Sequence, residues 1–239
     1  MSEAPLSVER AGGAAWCTLD RPPLNLLEPG LIDAVRATFD ALAADRVTRV
    51  AILTGGGRAF TAGMDVRVLR DLDTARAKDL ITALHAAIDA VHQAPFPVIA
   101  AVNGACLGAG FELALACDLR VAVAGASLGL PEVRVGVPSV IQAALLPPLV
   151  GPGRAAELLL TGEPITAERA REWGLVNDVV PVERLRATVQ ALVERILACG
   201  PEAIRLQKEL IVRWRATDEP YQGMSAFLEK RAPKFGSSR

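Results

Sequence analysis

Apolar residues in the first half of the chain follow two patterns, continuous runs and helical repeats. Three continuous runs predict strands that are buried on both faces: residues 50–53, 98–102 and 119–123. Apolar positions recur at helical spacing over residues 29–44 and 77–91, and residues 111–117 also have helical character. Because strands and helices alternate here, we predict an α/β core with parallel pairing.

The two ends of the chain differ from this core. Near the start, residues 6–9 and 14–19 predict a hairpin around Ala11-Gly12-Gly13. Six later segments predict helices that glycine and proline separate: residues 140–150, 154–161, 167–173, 183–198, 202–214 and 225–230. No low-complexity linker or simple repeat marks a boundary between domains.

Composition excludes several classes of protein. The 239 residues are 51% hydrophobic and 22% charged, which excludes disorder as the global state. Lys and Arg number 26 against 27 Asp and Glu, so the net charge of -1 argues against a nucleic-acid partner. Aromatic residues make up only 4% of the chain, which also argues against a protein that binds single-stranded nucleic acid by stacking on its bases.

Cysteine spacing and the uncharged stretches indicate a cytoplasmic protein with no membrane partner. The four cysteines form no CxxC pair, so we expect buried, reduced thiols and no metal site: Cys17, Cys106, Cys117 and Cys199. Residues 93–111 and 135–153 carry no charge, but their prolines would interrupt a membrane span. Residues 1–10 lack the basic and apolar regions of a signal peptide.

Two glycine-containing segments offer backbone N–H groups to a ligand. Residues 59–65 (AFTAGMD) follow a predicted strand, and Gly63 allows N–H groups to turn outward, although this segment alone favours an ordinary strand-to-helix loop. Residues 103–112 (NGACLGAGFE) end a buried strand and open a helix, whose N-terminus suits an anion. The second segment has neither a Walker A pattern nor GxGxxG spacing.

Two glutamates lie in apolar surroundings close to these segments. Glu112 opens a helix within an apolar run, and Glu132 lies in residues 128–136 (LGLPEVRVG). Separately, each has an ordinary explanation, a first-turn carboxylate for Glu112 and a surface residue or a partner of Arg134 for Glu132. Together with two donor loops, they form a plausible site for acid/base chemistry beside an anion.

Other chemistry has less support. His85 and His92 lack an HExxH pattern and are predicted to pack or to face solvent. Ser127 and Ser139 lack the GxSxG elbow of a serine hydrolase.

Five segments in order resemble the crotonase family, the enoyl-CoA hydratase/isomerase superfamily, from residue 19 to residue 235: residues 51–65, 100–114, 128–136, 162–176 and 223–231. The resemblance implies an α/β fold, the crotonase/ClpP-like spiral of ββα units, with a helical C-terminal region that builds trimers. On this basis residues 1–185 would form the spiral core and residues 186–239 the helical region. It also implies a homotrimer or a hexamer made of two trimers.

The resemblance further implies hydration of a 2-enoyl-CoA to a 3-hydroxyacyl-CoA. The backbone N–H groups of Met64 and Ala109 would form an oxyanion hole for the thioester oxygen. Glu112 would act mainly on the water and Glu132 would deliver a proton to C2. Isomerases of the family commonly keep only the glutamate at the Glu132 position, so the presence of Glu112 favours hydration. No metal or cofactor is implied, because coenzyme A is part of the substrate.

Further residues are implied to contact substrate or CoA: Pro23, Leu24, Asn25, Ala62, Met64, Asp65, Val66, Arg67, Ala109, Lys230 and Phe235. Of these, Pro23, Leu24 and Asn25 match a stretch that lines the family's adenine pocket, and Lys230 and Phe235 would reach CoA from a neighbouring subunit. Arg67 could equally be a solvated helix charge. Met64, Ala109 and Phe111 replace smaller residues common in the family, which affects the expected acyl-chain length and shape.

Alternative functions are an enoyl-CoA isomerase or another crotonase-type reaction on an acyl-CoA. More remote alternatives are a non-catalytic trimeric scaffold and an RNA binder.

Overall fold

The continuous apolar runs become the interior of a mainly parallel sheet. The computed structural model describes residues 4–65, 68 and 72–216, with side chains described to residue 212. Six strands pair in one sheet within these residues, in the order β1, β2, β3, β5, β7, β10. Their bounds are β1 Leu6–Ala11, β2 Ala14–Leu19, β3 Val50–Gly55, β5 Val98–Val102, β7 Leu119–Val123 and β10 Asp178–Val180. Only the β1–β2 hairpin is antiparallel in this sheet, which confirms the predicted hairpin and the predicted parallel core.

A second, smaller sheet lies beside the first and was not predicted. In the described part of the chain it contains four short strands, β4 Ala59–Thr61, β6 Ala105–Leu107, β8 Ser127–Gly129 and β9 Ile165–Thr166. Strands β4, β6 and β8 pair in parallel, and each directly follows a strand of the large sheet. Two consecutive strands, one in each sheet, are followed by a helix, and this repeat is the predicted spiral of ββα units. The repeat brings the three predicted site segments together.

Helices cover the large sheet and carry one of the glutamates. Helix α1 (Pro29–Ala44) packs against α2 (Thr74–His92), and α3 (Ala109–Ala116) follows β6. All eight residues of α3 are buried, so Glu112 on this helix enters the interior. The later helices are α4 Leu146–Val150, α5 Pro152–Thr161, α6 Ala167–Glu172, α7 Leu185–Leu197 and α8 Pro201–Ala216. Across the described ranges, no helix has both the length and the hydropathy that a membrane span requires.

The predicted helix over residues 140–150 is wrong in its first half. Residues 137–142 are irregular, and α4 begins only at Leu146 after a 3-10 turn at Ala143–Leu145. The reason is local, because Pro147 and Pro148 have no N–H to donate to the preceding turn and clash with it, so a helix can begin here but cannot continue from residue 140. The predicted helix over residues 225–230 lies outside the described residues.

The cysteines are mostly core residues. Cys17, Cys106 and Cys117 are buried, and burial raises the pKa of Cys17 and of Cys117 to about 12, so both thiols are unreactive. Cys199 is exposed, which corrects the expectation that all four would be buried.

Candidate active site

Two backbone loops meet where β4 and β6 end. Gly63 has a φ of +86°, and a Cβ at this position would lie 2.7 Å from Leu107 O and 3.3 Å from Ala109 N. Only glycine allows this approach, because it has no Cβ and adopts positive φ without strain. The segment that ends β4 is therefore packed directly against the turn that opens α3.

Each loop contains a backbone N–H group that has no acceptor among the described residues. Within the described residues, neither the Met64 N–H nor the Ala109 N–H donates to a backbone or side-chain acceptor. For Ala109 the reason is its place at the start of α3, where the first amides of a helix have no intrahelical partner. Partner-free N–H groups at a helix start favour a bound negative charge.

Glu112 is held in the interior by the segment of residues 141–143. Its exposure is only 1%, its Oε1 accepts from the Gln142 N–H at 2.8 Å, and its Oε2 is buried with no partner among the described groups. Burial raises the pKa of Glu112 to about 7, the Gln142 N–H opposes this rise, and the nearby charge of Glu132 adds to it. A carboxyl group with this pKa exchanges protons readily near neutral pH.

Glu132 lies over the second loop on the 3-10 turn Pro131–Val135. A Cβ on Gly108 would lie 3.0 Å from Glu132 Oε1, and Gly108 has a φ of +57°, so glycine is required there as well. Burial raises the pKa of Glu132, and the backbone N–H of Glu132 partly offsets this rise. Its Oε2 is also buried without a hydrogen bond within the described chain.

Both glutamates and both loops line one cavity of about 230 Å³. The rest of its wall is mainly apolar, with Met64, Ile81, Val137, Val140 and Ile141. A larger cavity of about 500 Å³ lies between the end of α1 and the start of α8, but neither glutamate lines it. Size therefore does not identify the site; the two carboxyl groups with raised pKa values do.

Comparison with known proteins decides the family. Residues 9–215 match the family model described as enoyl-CoA hydratase/isomerase. The chain belongs to this family. A crotonyl-CoA hydratase of Syntrophomonas wolfei subsp. wolfei is 34% identical over 250 residues, which cover 95% of this chain and 96% of that protein.

Two further relatives agree over almost the whole length. A 2,3-dehydroadipyl-CoA hydratase of Escherichia coli (strain K12) is 35% identical over 257 residues, covering 98% of this chain and 99% of the relative. The crystal structure of an enoyl-CoA hydratase from Bacillus anthracis has a TM-score of 0.84 at 35% identity, covering 98% of this chain and 100% of that one. The fold is the crotonase fold, and the chain is an enzyme with crotonase-type chemistry on acyl-CoA thioesters.

Several of the residues implied by the resemblance lie together in this crotonase site. Glu112, Glu132, Met64, Ala109 and Ala62 line the same cavity. Pro23 and Leu24 are exposed beside the first loop, where the Leu24 carbonyl accepts from the Ala62 N–H at 3.0 Å. Asp65 follows Met64 and is half-buried, and its carbonyl accepts from the Val68 N–H. Val66, Arg67, Lys230 and Phe235 lie outside the described residues.

Two expectations are corrected. Asn25 was expected to contact CoA, but it is fully buried, and its side-chain Nδ2 lies within hydrogen-bond distance of three backbone carbonyl oxygens: Gly56, Ala59 and Phe60. Phe111 is fully buried in the core and does not line the cavity, so it has no direct effect on acyl-chain shape.

Sequence reasoning missed some functional neighbours. Gln142 holds Glu112, and Ile81 and Val140 line the cavity from separate segments. Their apolar or amide side chains carried no chemical signal, and only the fold brings them to the site.

Proposed function

We propose that this enzyme hydrates a 2-enoyl-CoA thioester to the 3-hydroxyacyl-CoA. The observation that carries the proposal is that one apolar cavity is lined by two carboxyl groups with raised pKa values and by two residues whose N–H groups have no acceptor within the described part of the chain. Addition of water to a conjugated thioester requires both kinds of group. The double bond needs a proton donor and a proton acceptor, and the thioester oxygen needs donors for its growing charge.

The N–H groups of Met64 and Ala109 act on the thioester oxygen. When water attacks C3, the electrons of the double bond move toward C1 and charge develops on that oxygen. Fixed donors stabilise this charge more than they stabilise the uncharged ground state, so they lower the barrier. Loss of one such donor typically costs about 10²–10³ in kcat.

The two glutamates exchange one proton in each turnover. Glu112 takes a proton from water as the oxygen bonds to C3, and Glu132 gives its proton to C2. The pair therefore holds one proton before and after the addition, and only its position changes until exchange with solvent restores it. Burial, which raises the pKa of both carboxyls, supports a pair that keeps one proton near neutral pH.

Loss of enoyl-thioester absorbance tests this function directly. Wild type, Glu112→Gln and Glu132→Gln are assayed with short and medium 2-enoyl-CoA substrates, with Glu183→Gln as the matched control because Glu183 is exposed and far along the chain. We expect fast hydration by wild type and by the control. Both site variants should lose about 10²–10⁴-fold in kcat, as expected for general acid–base groups.

Other results would assign a different function. Tight binding of butyryl-CoA without hydration would indicate another crotonase reaction, which product analysis with 2- and 3-enoyl-CoA substrates would identify. Neither binding nor turnover would indicate a scaffold, and a salt-sensitive shift of RNA in a gel would support an RNA binder.

We further propose that the enzyme works as a cytoplasmic homotrimer, or as a pair of trimers, built through the helical region of residues 186–239. The outward leucines of α8 support an assembly surface, since Leu206 is 49% and Leu210 is 60% exposed. Light scattering during gel filtration tests this stoichiometry. No cofactor beyond the coenzyme A of the substrate is proposed.

A further inference from the structure

The peptide between Gly63 and Met64 is held from its carbonyl side. Gly63 O accepts from the Leu27 N–H at 2.9 Å. In a planar trans peptide, the carbonyl and the following N–H point in opposite directions. By holding the Gly63 oxygen, Leu27 therefore turns the Met64 N–H away from the residue 24–27 segment. The orientation of this proposed oxyanion donor is thus set by a contact on the far side of its own peptide.

Asn25 fixes the segment that provides the Leu27 contact. Its φ is 51°, and its Oδ1 accepts from the Arg21 N–H at 2.9 Å. Its Nδ2 lies 2.9–3.2 Å from three carbonyl oxygens, that of Gly56 in the β3–β4 connection and those of Ala59 and Phe60 in β4. Because the side chain is fully buried, these hydrogen bonds are shielded from water. Asn25 therefore joins the 21–27 turn to the strand that leads into the first loop.

Thr61 holds the preceding peptide, the one between Ala62 and Gly63. Its Oγ1 accepts from the Gly63 N–H at 3.1 Å, and Thr61 is fully buried. The Thr61 backbone also lies against the second loop, since a Cβ on Gly110 would be 2.6 Å from Thr61 O. One residue thus orients Gly63 and contacts the helix that carries the second donor. Without the hydroxyl, the Gly63 N–H would be left buried and unsatisfied, which favours rotation of the loop.

We propose that Thr61 and Asn25 are positioning residues for the Met64 N–H donor, Thr61 through the Gly63 N–H and Asn25 through Leu27. This inference rests on the proposed function, in which Met64 N–H binds the thioester oxygen. Neither side chain contacts substrate, because both residues are fully buried. Asn25, through Leu27, acts on the peptide between Gly63 and Met64, and Thr61 acts on the peptide before it.

Thr61→Val is the central test, because it removes the hydroxyl and keeps nearly the same volume. We expect kcat to fall about tenfold, less than the 10²–10³-fold that follows loss of a whole donor, with KM changed less than threefold. Thr61→Ser keeps the acceptor and should retain at least half of the wild-type kcat. Thr166→Val is the matched control, since Thr166 Oγ1 accepts the Arg169 N–H at a helix start away from the cavity.

The carbonyl stretching frequency of bound butyryl-CoA, labelled with ¹³C at C1, reports the hydrogen bond from the Met64 N–H without any turnover. Infrared difference spectra should show a lowered frequency in wild type, Thr61→Ser and Thr166→Val, because hydrogen bonds weaken the C=O bond. In Thr61→Val the band should move back toward the frequency in water. Asn25→Ala should show the same shift as Thr61→Val; if that variant does not fold, the two Thr61 variants decide.

Several results would overturn the inference. The first is an unchanged kcat and carbonyl band in Thr61→Val. The second is an equal fall of kcat in Thr61→Ser and Thr61→Val. The third is a change in the KM of Thr61→Val with no change in its kcat. Failure of the proposed function is distinguishable, because a wild-type protein that binds butyryl-CoA without hydrating any substrate still reports its carbonyl band. In that case the band in Thr61→Val tests the positioning role on its own.

Discussion

Substitution of Gly63 by alanine perturbs the contact between the two donor loops. The new Cβ would lie 2.7 Å from Leu107 O, whereas carbon–oxygen contacts are ordinarily about 3.3 Å or longer. The loops must therefore separate by roughly half an ångström. The positive φ of +86° adds about 1–2 kcal/mol of backbone strain for a residue with a side chain.

Gly174→Ala separates these two effects. Gly174 has a similar φ of +79°, but nothing lies within 4 Å of a Cβ there. We expect the control to lose about 2–8 °C in Tm from strain alone, since about 1 kcal/mol shifts Tm by 2–4 °C in a chain of this size. Its kcat should stay at the wild-type value. All proteins are melted at one concentration, so that any subunit association contributes equally.

Gly63→Ala should lose more in both measurements. Its Tm should fall below that of the control, because backbone must move as well as adopt a strained angle. Its kcat should fall about 10–10²-fold, as misplacement by about 1 Å can cost 10²-fold, while KM changes little. Equal melting of Gly63→Ala and Gly174→Ala together with a wild-type kcat would refute the reasoning, since the two loops would then be free to separate without consequence.

Three further predictions concern charge and shape. Because burial raises the pKa of Glu112 from 4.5 to about 7 in the folded state, wild-type stability should fall as pH rises through this window. In urea unfolding, the free energy of unfolding of Glu112→Gln should rise relative to wild type by up to about 3 kcal/mol between pH 5 and pH 8, at about 1.4 kcal/mol per pH unit. A difference in the free energy of unfolding that is constant with pH would contradict this. Lys208, only 4% exposed, lies 2.6 Å from Asp118, so Lys208→Met should lower the free energy of unfolding by about 3 kcal/mol, and adding Asp118→Asn should recover part of it. No recovery would mean that the loss comes from packing. Met64→Ala should raise kcat/KM for octenoyl-CoA relative to crotonyl-CoA by roughly tenfold, because Met64 lines the acyl cavity; equal changes for both substrates would count against this.

Local pattern was sufficient for five of the six described strands of the large sheet and for most helices, but strand β10 (Asp178–Val180) was not predicted. The predicted bounds of β5, β7 and α1 agree with the structure residue by residue: Val98–Val102, Leu119–Val123 and Pro29–Ala44. These elements are either continuously apolar or strongly amphipathic, so burial dictates them. The strands of the second sheet are only two or three residues long, too short for any periodicity to indicate them.

Residues 140–150 show how two prolines override an apolar spacing. The spacing favours a helix, but Pro147 and Pro148 cannot continue a helix from the residues before them, so α4 begins at Leu146. The Gln142 N–H is then free to donate to the buried carboxylate of Glu112. Because an unsatisfied buried carboxylate would be costly, this contact stabilises the position of the irregular segment against Glu112. No property of residues 137–142 taken alone indicates this.

The sequence by itself determined the family, the parallel core and the two glutamates with their donor loops, because those features depend on residue types at short spacing. The tertiary structure alone decided which groups share the cavity and what Asn25 does. The family resemblance implied that Asn25 binds CoA, yet the fold buries its side chain, whose amide lies within hydrogen-bond distance of three carbonyl oxygens more than thirty positions away. Burial and long-range hydrogen bonding are properties of the packed chain. They distinguish a residue that contacts a ligand from a residue that positions its neighbours for that contact.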